Sequence, residues 1–343
     1  MTLEQFGWTS FFGSQESSGI VGRVAASNHG RFLVWTETGE VDAGVSGLLR
    51  KNSLLWPAVG DWVVLHADSS VIVKVLDRKT KLSRKQPERE IREQVLAANI
   101  DVLFIVSGLD RDYNERRIER YLVMALESGA RPVVLLNKAD LADELGVVLT
   151  DVLARIEGMT PGLLVLPLCA LTGSGLEALP AQLAAGETAA LIGSSGVGKS
   201  TILNRLLGDE RQRTSPVRPK DSRGRHTTTS RELFRMPGGW LLMDLPGLRE
   251  VQLWGSAEHV EDSFTDIAEL ALSCRFRDCS HAGEPGCAVE GAGLDAGRLA
   301  NYQKMQRELA HLERKTDPRL AKETRAKWNA IEKSVRNHPK RKW

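Results

Sequence analysis

No stretch of the 343 residues approaches the roughly 18 to 20 consecutive apolar positions that a membrane-spanning helix needs. The first residues, MTLEQFGWTSFFGSQESS, lack the basic-then-apolar layout of a signal peptide, so a cytoplasmic location and no membrane partner are expected. Cysteine is scarce, four in all, and the expected cytosolic setting disfavours disulfides among them. There is neither an internal repeat nor a low-complexity tract. What remains is an ordinary soluble composition, 42% hydrophobic and 26% charged, with length enough for two or three domains. A net charge of +2 conceals polarity: residues 298–343 hold fourteen Lys and Arg against five Asp and Glu. That basic C-terminus is the footprint of a phosphate-rich partner.

The chain changes rhythm twice. After a polar N-terminal extension over 1–17, residues 18–80 alternate short β-rich runs (GIVGRVAA, RFLVWTE, GEVDAGVSGLL, GDWVVLHA, VIVKVLD) with Gly, Asn and Asp turns. Five such runs predict a small β-barrel of the OB type. Arg23, Arg31, Arg50, Lys51 and Lys74, with the aromatics Phe32, Trp35, Trp56 and Trp62, fit the basic, base-stacking surface such barrels offer RNA. From residue 81 to 257 apolar strands are separated by helical stretches over 114–129 and 141–157, the pattern of a parallel α/β sheet. Beyond it, 258–343 reads as a helical domain built around a cysteine cluster and ending in a basic tail.

Residues Gly193, Ser194, Ser195, Gly196, Val197, Gly198, Lys199, Ser200 and Thr201 match G-x-x-x-x-G-K-[ST], after the strand AALI and before the helix TILNRLLG. Glycine lets the backbone curl so that its N–H groups point at a β-phosphate, and the helix N-terminus adds partial positive charge. Lys199 is expected to reach the β- and γ-phosphates, and Ser200 to ligate Mg²⁺.

Asn137, Lys138, Ala139 and Asp140 close the apolar strand PVVLLN, where a doubly wound sheet presents its ligand loops. The Asp140 carboxylate suits the two donors of guanine, N1–H and the exocyclic amine, and leaves adenine unmatched. Cys169, Ala170 and Leu171 resemble the SAK-type loop whose backbone N–H meets the guanine carbonyl. Asp244 begins DLPG, 45 residues after Lys199. It is expected to hold Mg²⁺ through water, while the Gly247 N–H senses the γ-phosphate. In between lies RPKDSRGRHTTTSR, one of whose threonines completes the Mg²⁺ shell: Thr228, with Thr227 and Thr229 as alternatives.

These motifs stand in a rotated order. Ordinary GTPases run phosphate loop, threonine, DxxG, NKxD, SAK; here NKAD and CAL come first, so the domain is circularly permuted. A barrel, a permuted GTPase with DLPG and a cysteine-rich tail together resemble the ribosome small-subunit-dependent GTPase A family, RsgA, across essentially the whole chain. That resemblance implies a late 30S maturation factor that binds 16S rRNA, is stimulated by the small subunit and leaves on GTP hydrolysis. DLPG stands where DTPG is usual, and CAL where SAL or SAK is.

Leu248 follows Gly247, where Ras-like enzymes carry the glutamine that orients water, so intrinsic hydrolysis should be slow. His226, beside the threonines, is the nearest side chain able to position or accept a proton, and the resemblance points to it as well. Cys274, Cys279, His281 and Cys287 have the spacing C-x4-C-x-H-x5-C and supply four tetrahedral ligands for one structural Zn²⁺. Downstream, RLANYQKMQRELAHLERK and ETRAKWNAIEKSVRNHPKRKW read as helices with basic faces for phosphate contacts. Two other readings stay open: an RNA-binding checkpoint whose nucleotide only sets affinity, and a permuted GTPase serving the large subunit or translation. A monomer is expected.

Overall fold

The structure, a computed structural model, describes residues 1–15, 18–51, 56–67, 70–85, 93–208, 231–245, 253–254 and 257–316. They fall into two compact units, one of residues 1–84 and 94–252 and the other of residues 85–93 with the C-terminal helices. Among the described residues no helix is long and apolar enough to cross a membrane.

The first residues are less polar in place than in sequence. A 3-10 turn at Leu3–Phe6 and helix α1 (Ser10–Gly13) bury Phe6 and Phe12, and Trp8 meets Trp62 edge-on at 4.7 Å between ring centroids. Strands β1 (Ile20–Asn28), β2 (Arg31–Thr36) and β3 (Gly39–Val45) form a meander. After helix α2 (Gly47–Lys51), β4 (Trp62–Leu65) and β5 (Val71–Val75) complete the order β1-β2-β3-β5-β4, and β4 pairs back onto β1 from Ile20↔Leu65 to Arg23↔Trp62. The barrel is therefore closed, with five strands.

Closure corrects one expectation. Phe32, Trp35 and Trp62 are core residues at 0%, 8% and 1% exposure, and of the four aromatics assigned to an RNA face only Trp56 is exposed. A five-stranded barrel has a small interior, and large rings fill it. Arg23 is also buried: its guanidinium donates to the carbonyls of Gly60 (3.2 Å), Asn99 (2.9 Å) and Phe6, and lies over the Trp62 ring. Desolvation pushes its pKa down to about 10, against the opposing charges of Asp101 and Asp61.

Asp61 is the barrel's buried anion. It is fully enclosed, takes the Arg78 fork at 2.7 Å on each oxygen and accepts the Ala58 N–H at 2.7 Å. Burial pushes its carboxyl up, and the Arg78 guanidinium pulls it back down. Removing one partner of such a pair strands the other charge, so Asp61→Ala should destabilise by about 3 to 5 kcal/mol. Thermal melts should show a fall on the order of 10 °C, and an unchanged midpoint would refute this account.

A two-stranded ladder, β6 (Lys81–Lys85) with β7 (Glu93–Ala98), leads into the second half of the unit. There β8 (Val102–Gly108), helix α3 (Glu115–Ser128), β9 (Arg131–Asn137), helix α4 (Leu149–Glu157), β10 (Leu164–Leu168), β11 (Thr188–Ile192), helix α5 (Lys199–Leu207), β12 (Arg231–Arg235) and β13 (Leu241–Asp244) follow in turn. Their order is β10-β9-β8-β11-β13-β12, parallel except for β12. β8, β9 and β11 are buried almost throughout, as parallel strands covered on both faces must be. α3 begins where the Asn114 side chain accepts the Arg117 N–H and stops at Gly129, φ +79°. α4 is shorter than expected. Residues 139–141 make a separate 3-10 turn, and Gly146 at φ +64° breaks the path before the helix begins at Leu149.

One sheet serves both halves. β1, after pairing with β4, also pairs with β12 at Ala26↔Glu232 and Ser27↔Arg231, making eleven strands continuous.

The second unit packs α6 (Ala257–Ser263), α7 (Thr265–Ala271), α8 (Ala288–Gly291) and α9 (Ala296–Thr316) around Val260, Phe264, Ile267, Val289, Met305 and Leu309. Arg298 grips Asp266 through two bonds of 2.7 and 2.8 Å and lies 4.4 Å from the Phe264 ring centre. Partial burial works to raise the Asp266 carboxyl, but Arg298 holds it below the usual range.

Candidate functional site

The C-terminal ends of the parallel strands converge on one edge of the sheet, which is where such sheets bind ligands. β9 delivers Asn137, β10 delivers Cys169 and Ala170, β11 delivers the glycine-rich loop, and β13 ends at Asp244, opposite Leu191 of β11. Segments far apart in sequence thus meet.

Two glycines are dictated by close approach. A Cβ on Gly193 (φ +148°) would lie 2.3 Å from the Val106 carbonyl oxygen, and one on Gly198 (φ +102°) 2.2 Å from Asn137 Nδ2. Real side chains essentially never come so close. Asn137, almost fully buried, donates to the Val197 carbonyl at 2.7 Å and accepts the Ala170 N–H at 2.9 Å. One amide therefore locks the glycine-rich loop to the loop after β10. Lys138, in the left-handed region at φ +61°, donates to the Gly196 carbonyl at 3.1 Å and pairs with Asp110.

Lys199 opens α5 and donates to the carbonyls of Gly193 (2.6 Å) and Ser194 (2.7 Å). Burial pushes its ammonium down, opposed by the Asp244 charge. Ser195, Gly196, Ser200 and Thr201 are exposed, as is Asp140, while Ala139 is half-buried. Cys169 is buried and its N–H reaches the Ser174 carbonyl at 2.9 Å; the Leu171 carbonyl takes a bond from Arg205 on α5. His226, Thr227, Thr228, Thr229, Gly247 and Leu248 lie outside the described residues, as does the second basic segment at 323–343.

Three residues escaped the sequence reading: Asp110 and Asp112 after β8, and Arg117 on α3. Arg117 and Asp112 both reach Ser194 of the glycine-rich loop, at 3.0 and 2.9 Å. For the two aspartates the signal available was position, since SGLDRDYN ends a parallel strand at the ligand edge.

The arrangement ties the glycine-rich loop to the loop after β10 through Asn137, on a sheet whose strand connections are rotated. A profile of the RsgA GTPase family matches residues 75–254. The chain belongs to that family. Family membership makes it a GTPase. The Small ribosomal subunit biogenesis GTPase RsgA of Opitutus terrae is 43% identical over 96% of each chain. Small ribosomal subunit biogenesis GTPase RsgA 2 of Listeria monocytogenes is 41% identical over 99% of each. Among solved structures, YjeQ from Thermotoga maritima superposes with a TM-score of 0.62 at 27% identity, covering 84% of this chain and 98% of that one. YloQ, a circularly permuted GTPase, gives 0.59 at 22% identity over 86% and 96%, a likeness of fold.

A second cluster belongs to the helical unit. One donor atom from each of Cys274, Cys279, His281 and Cys287 lies within 4.8 Å of the others, with His281 Nδ1 at 3.6 Å from Cys274 Sγ and 3.5 Å from Cys287 Sγ. The loop carrying them is held by its own bonds. Glu284 accepts from the Ser280 hydroxyl and from the N–H groups of Ala282 (2.7 Å) and Ser280 (3.0 Å), which bring its carboxyl down to about 2. His281, buried at φ +56°, is fixed from behind by Gln303 on its carbonyl. Three sulfur donors and one imidazole nitrogen converging at this range fit one metal ion.

Proposed function

We propose that this GTPase acts on the small ribosomal subunit: it binds 16S rRNA in a late 30S particle, is stimulated there, and leaves when GTP is hydrolysed. The observation that carries the proposal is the rotated loop order, with NKAD and CAL ahead of the phosphate loop and the DLPG strand β13 last. Placed last, the second switch leads straight into the helical unit, so γ-phosphate loss has a short route to it. The relatives' names, which specify small-subunit biogenesis, support the same reading.

In this reading Asp140 takes the guanine donors and Ala139, Cys169, Ala170 and Leu171 wall the base. The loop from Gly193 to Thr201 holds the phosphates, with Lys199 on the β- and γ-oxygens. Ser200, Asp244 and Thr228, or a neighbouring threonine, hold Mg²⁺, whose charge offsets that developing on the phosphates. Gly247 senses the γ-phosphate and His226 orients water, because Leu248 has no group to do so. Zn²⁺ suits the four-donor cluster as a structural ion with no open position. A cytoplasmic site of action and a monomeric state accompany the reading.

Turnover measured with separated 30S, 50S and 70S particles tests the proposal. Stimulation by 30S is expected; stimulation only by 50S would move the function to the large subunit, and none at all would leave a nucleotide-set RNA checkpoint. His226→Ala should retain GTP binding and lose about 10²-fold or more of the stimulated rate. An unchanged stimulated kcat would remove His226 from the chemistry. Binding to 30S should weaken steeply as salt rises, in proportion to the phosphates neutralised by the basic tail.

A further inference from the structure

We infer that Asp112, in the loop between β8 and α3 (residues 109–114), and Arg117, on the first turn of α3, are positioning residues that brace the glycine-rich loop of the nucleotide site from outside it. The inference rests on reading this edge of the sheet as the guanine-nucleotide site. Neither residue belongs to a motif that marks GTPases in sequence.

The geometry is specific. The Ser194 hydroxyl donates to Asp112 Oδ2 at 2.9 Å and accepts from Arg117 Nη1 at 3.0 Å, so its one proton and a lone pair are both used. Asp112 and Arg117 are themselves joined by two bonds, 2.5 and 3.2 Å, in a fork. Arg117 and then Ser194 hold the Asp112 carboxyl below its usual range. A parallel link runs alongside: Asp110 accepts the Asp112 N–H at 2.9 Å and pairs with Lys138, which holds the Gly196 carbonyl. Residues on either side of Ser195 are thus tied to one short segment.

Such ties have a reason. A loop with glycines at 193, 196 and 198 loses much backbone freedom when it wraps a phosphate. Holding it in shape beforehand removes part of that cost from binding. The carboxylates would repel phosphates if bare, but each is matched to a cation, Asp112 to Arg117 and Asp110 to Lys138. They act on the loop and not on the ligand.

The experiment compares the full chain with Asp112→Ala, Arg117→Ala, their double variant, Arg117→Lys and Ser194→Ala, using fluorescent GDP and GTP. Expected are dissociation rates for both nucleotides raised about tenfold in Asp112→Ala and Arg117→Ala, the loss of one charge-assisted hydrogen bond. The double variant should be no worse than the more affected single one. Arg117→Lys should recover part of the loss, because one bond can re-form. Ser194→Ala, which leaves α3 untouched, should also release both nucleotides faster, keeping the test valid should a helix variant fail to fold. Single-turnover hydrolysis of pre-bound GTP should change less than about twofold in the Asp112 and Arg117 variants, because their effect lies in binding common to both states. Unchanged dissociation of both nucleotides overturns the brace. Loss confined to the hydrolysis step, with GDP release unaltered, overturns it too and places Arg117 on the reacting phosphate. If the unaltered chain binds neither nucleotide, the underlying site reading falls, and the brace with it.

Discussion

Asp140→Asn should lower affinity for GTP and GDP by about 10⁴-fold and admit xanthine nucleotides in their place. Asp140 sits exposed on the 3-10 turn after β9, its carboxylate offering only acceptors. In the proposed reading guanine brings two donors to that carboxylate. An asparagine presents one acceptor and one NH₂ group, which meets the exocyclic amine of guanine donor against donor. Xanthine carries a carbonyl at that position and accepts the bond. Sites built on such pairing reject the mismatched partner by about 10⁴ to 10⁵. Titration calorimetry with GDP and XDP reads both directions of the change. Equal affinity of the variant for GDP would show that Asp140 does not face the base.

The second large effect is expected from metal removal. Structural zinc contributes about 10 to 16 kcal/mol of apparent folding free energy in finger peptides that have no other core. This unit has one of its own in Val260, Phe264, Ile267, Met305 and Leu309, so chelation should free the 274–287 loop while α9 keeps its helicity. Treatment with a strong chelator should make Cys274, Cys279 and Cys287 react quickly with iodoacetamide, whereas buried Cys169 should not. Elemental analysis should return one metal per chain before treatment. Thiol ligands must lose protons to bind, so the ion should also be released as pH falls. A preparation without metal whose three thiols stay protected would refute the assignment.

Much of this architecture was legible because its signals are local. VLFIVSG and PVVLLN are continuous apolar runs of the kind a doubly covered parallel strand carries, and the glycine-rich motif stands between strand and helix as its pattern predicts. Barrel strands were readable as strands, but not which side of each ring faced inward. In so small a barrel Trp35 and Trp62 are needed as filling, whereas an RNA-binding face would use the same residue types. Arg23 misled for a similar reason. A basic residue in a β-run reads as surface until the carbonyls of Phe6, Gly60 and Asn99 are seen to converge on it. The contact of Asp112 and Arg117 with Ser194 could not be read, because that partner is 82 and 77 positions away. No periodicity encodes such a contact. Helix α4 was overextended because residues after NKAD carry helix-friendly side chains and the break depends on the positive φ of Gly146.

Strand β1 belongs to two structures at once, closing the barrel through β4 and extending the central sheet through β12. The border between the two halves is a seam of paired backbone, not a tether. A fragment ending near residue 80 would leave Ala26 and Ser27 without their partner, and its complement would bare the outer edge of β12. Each piece would carry an open edge of the kind that drives strand-to-strand aggregation. Dissecting this protein by truncation is therefore a poor experiment, and so is grafting its barrel elsewhere. For the same reason a barrel moved onto another nucleotide switch would need an edge strand there to take the place of β12.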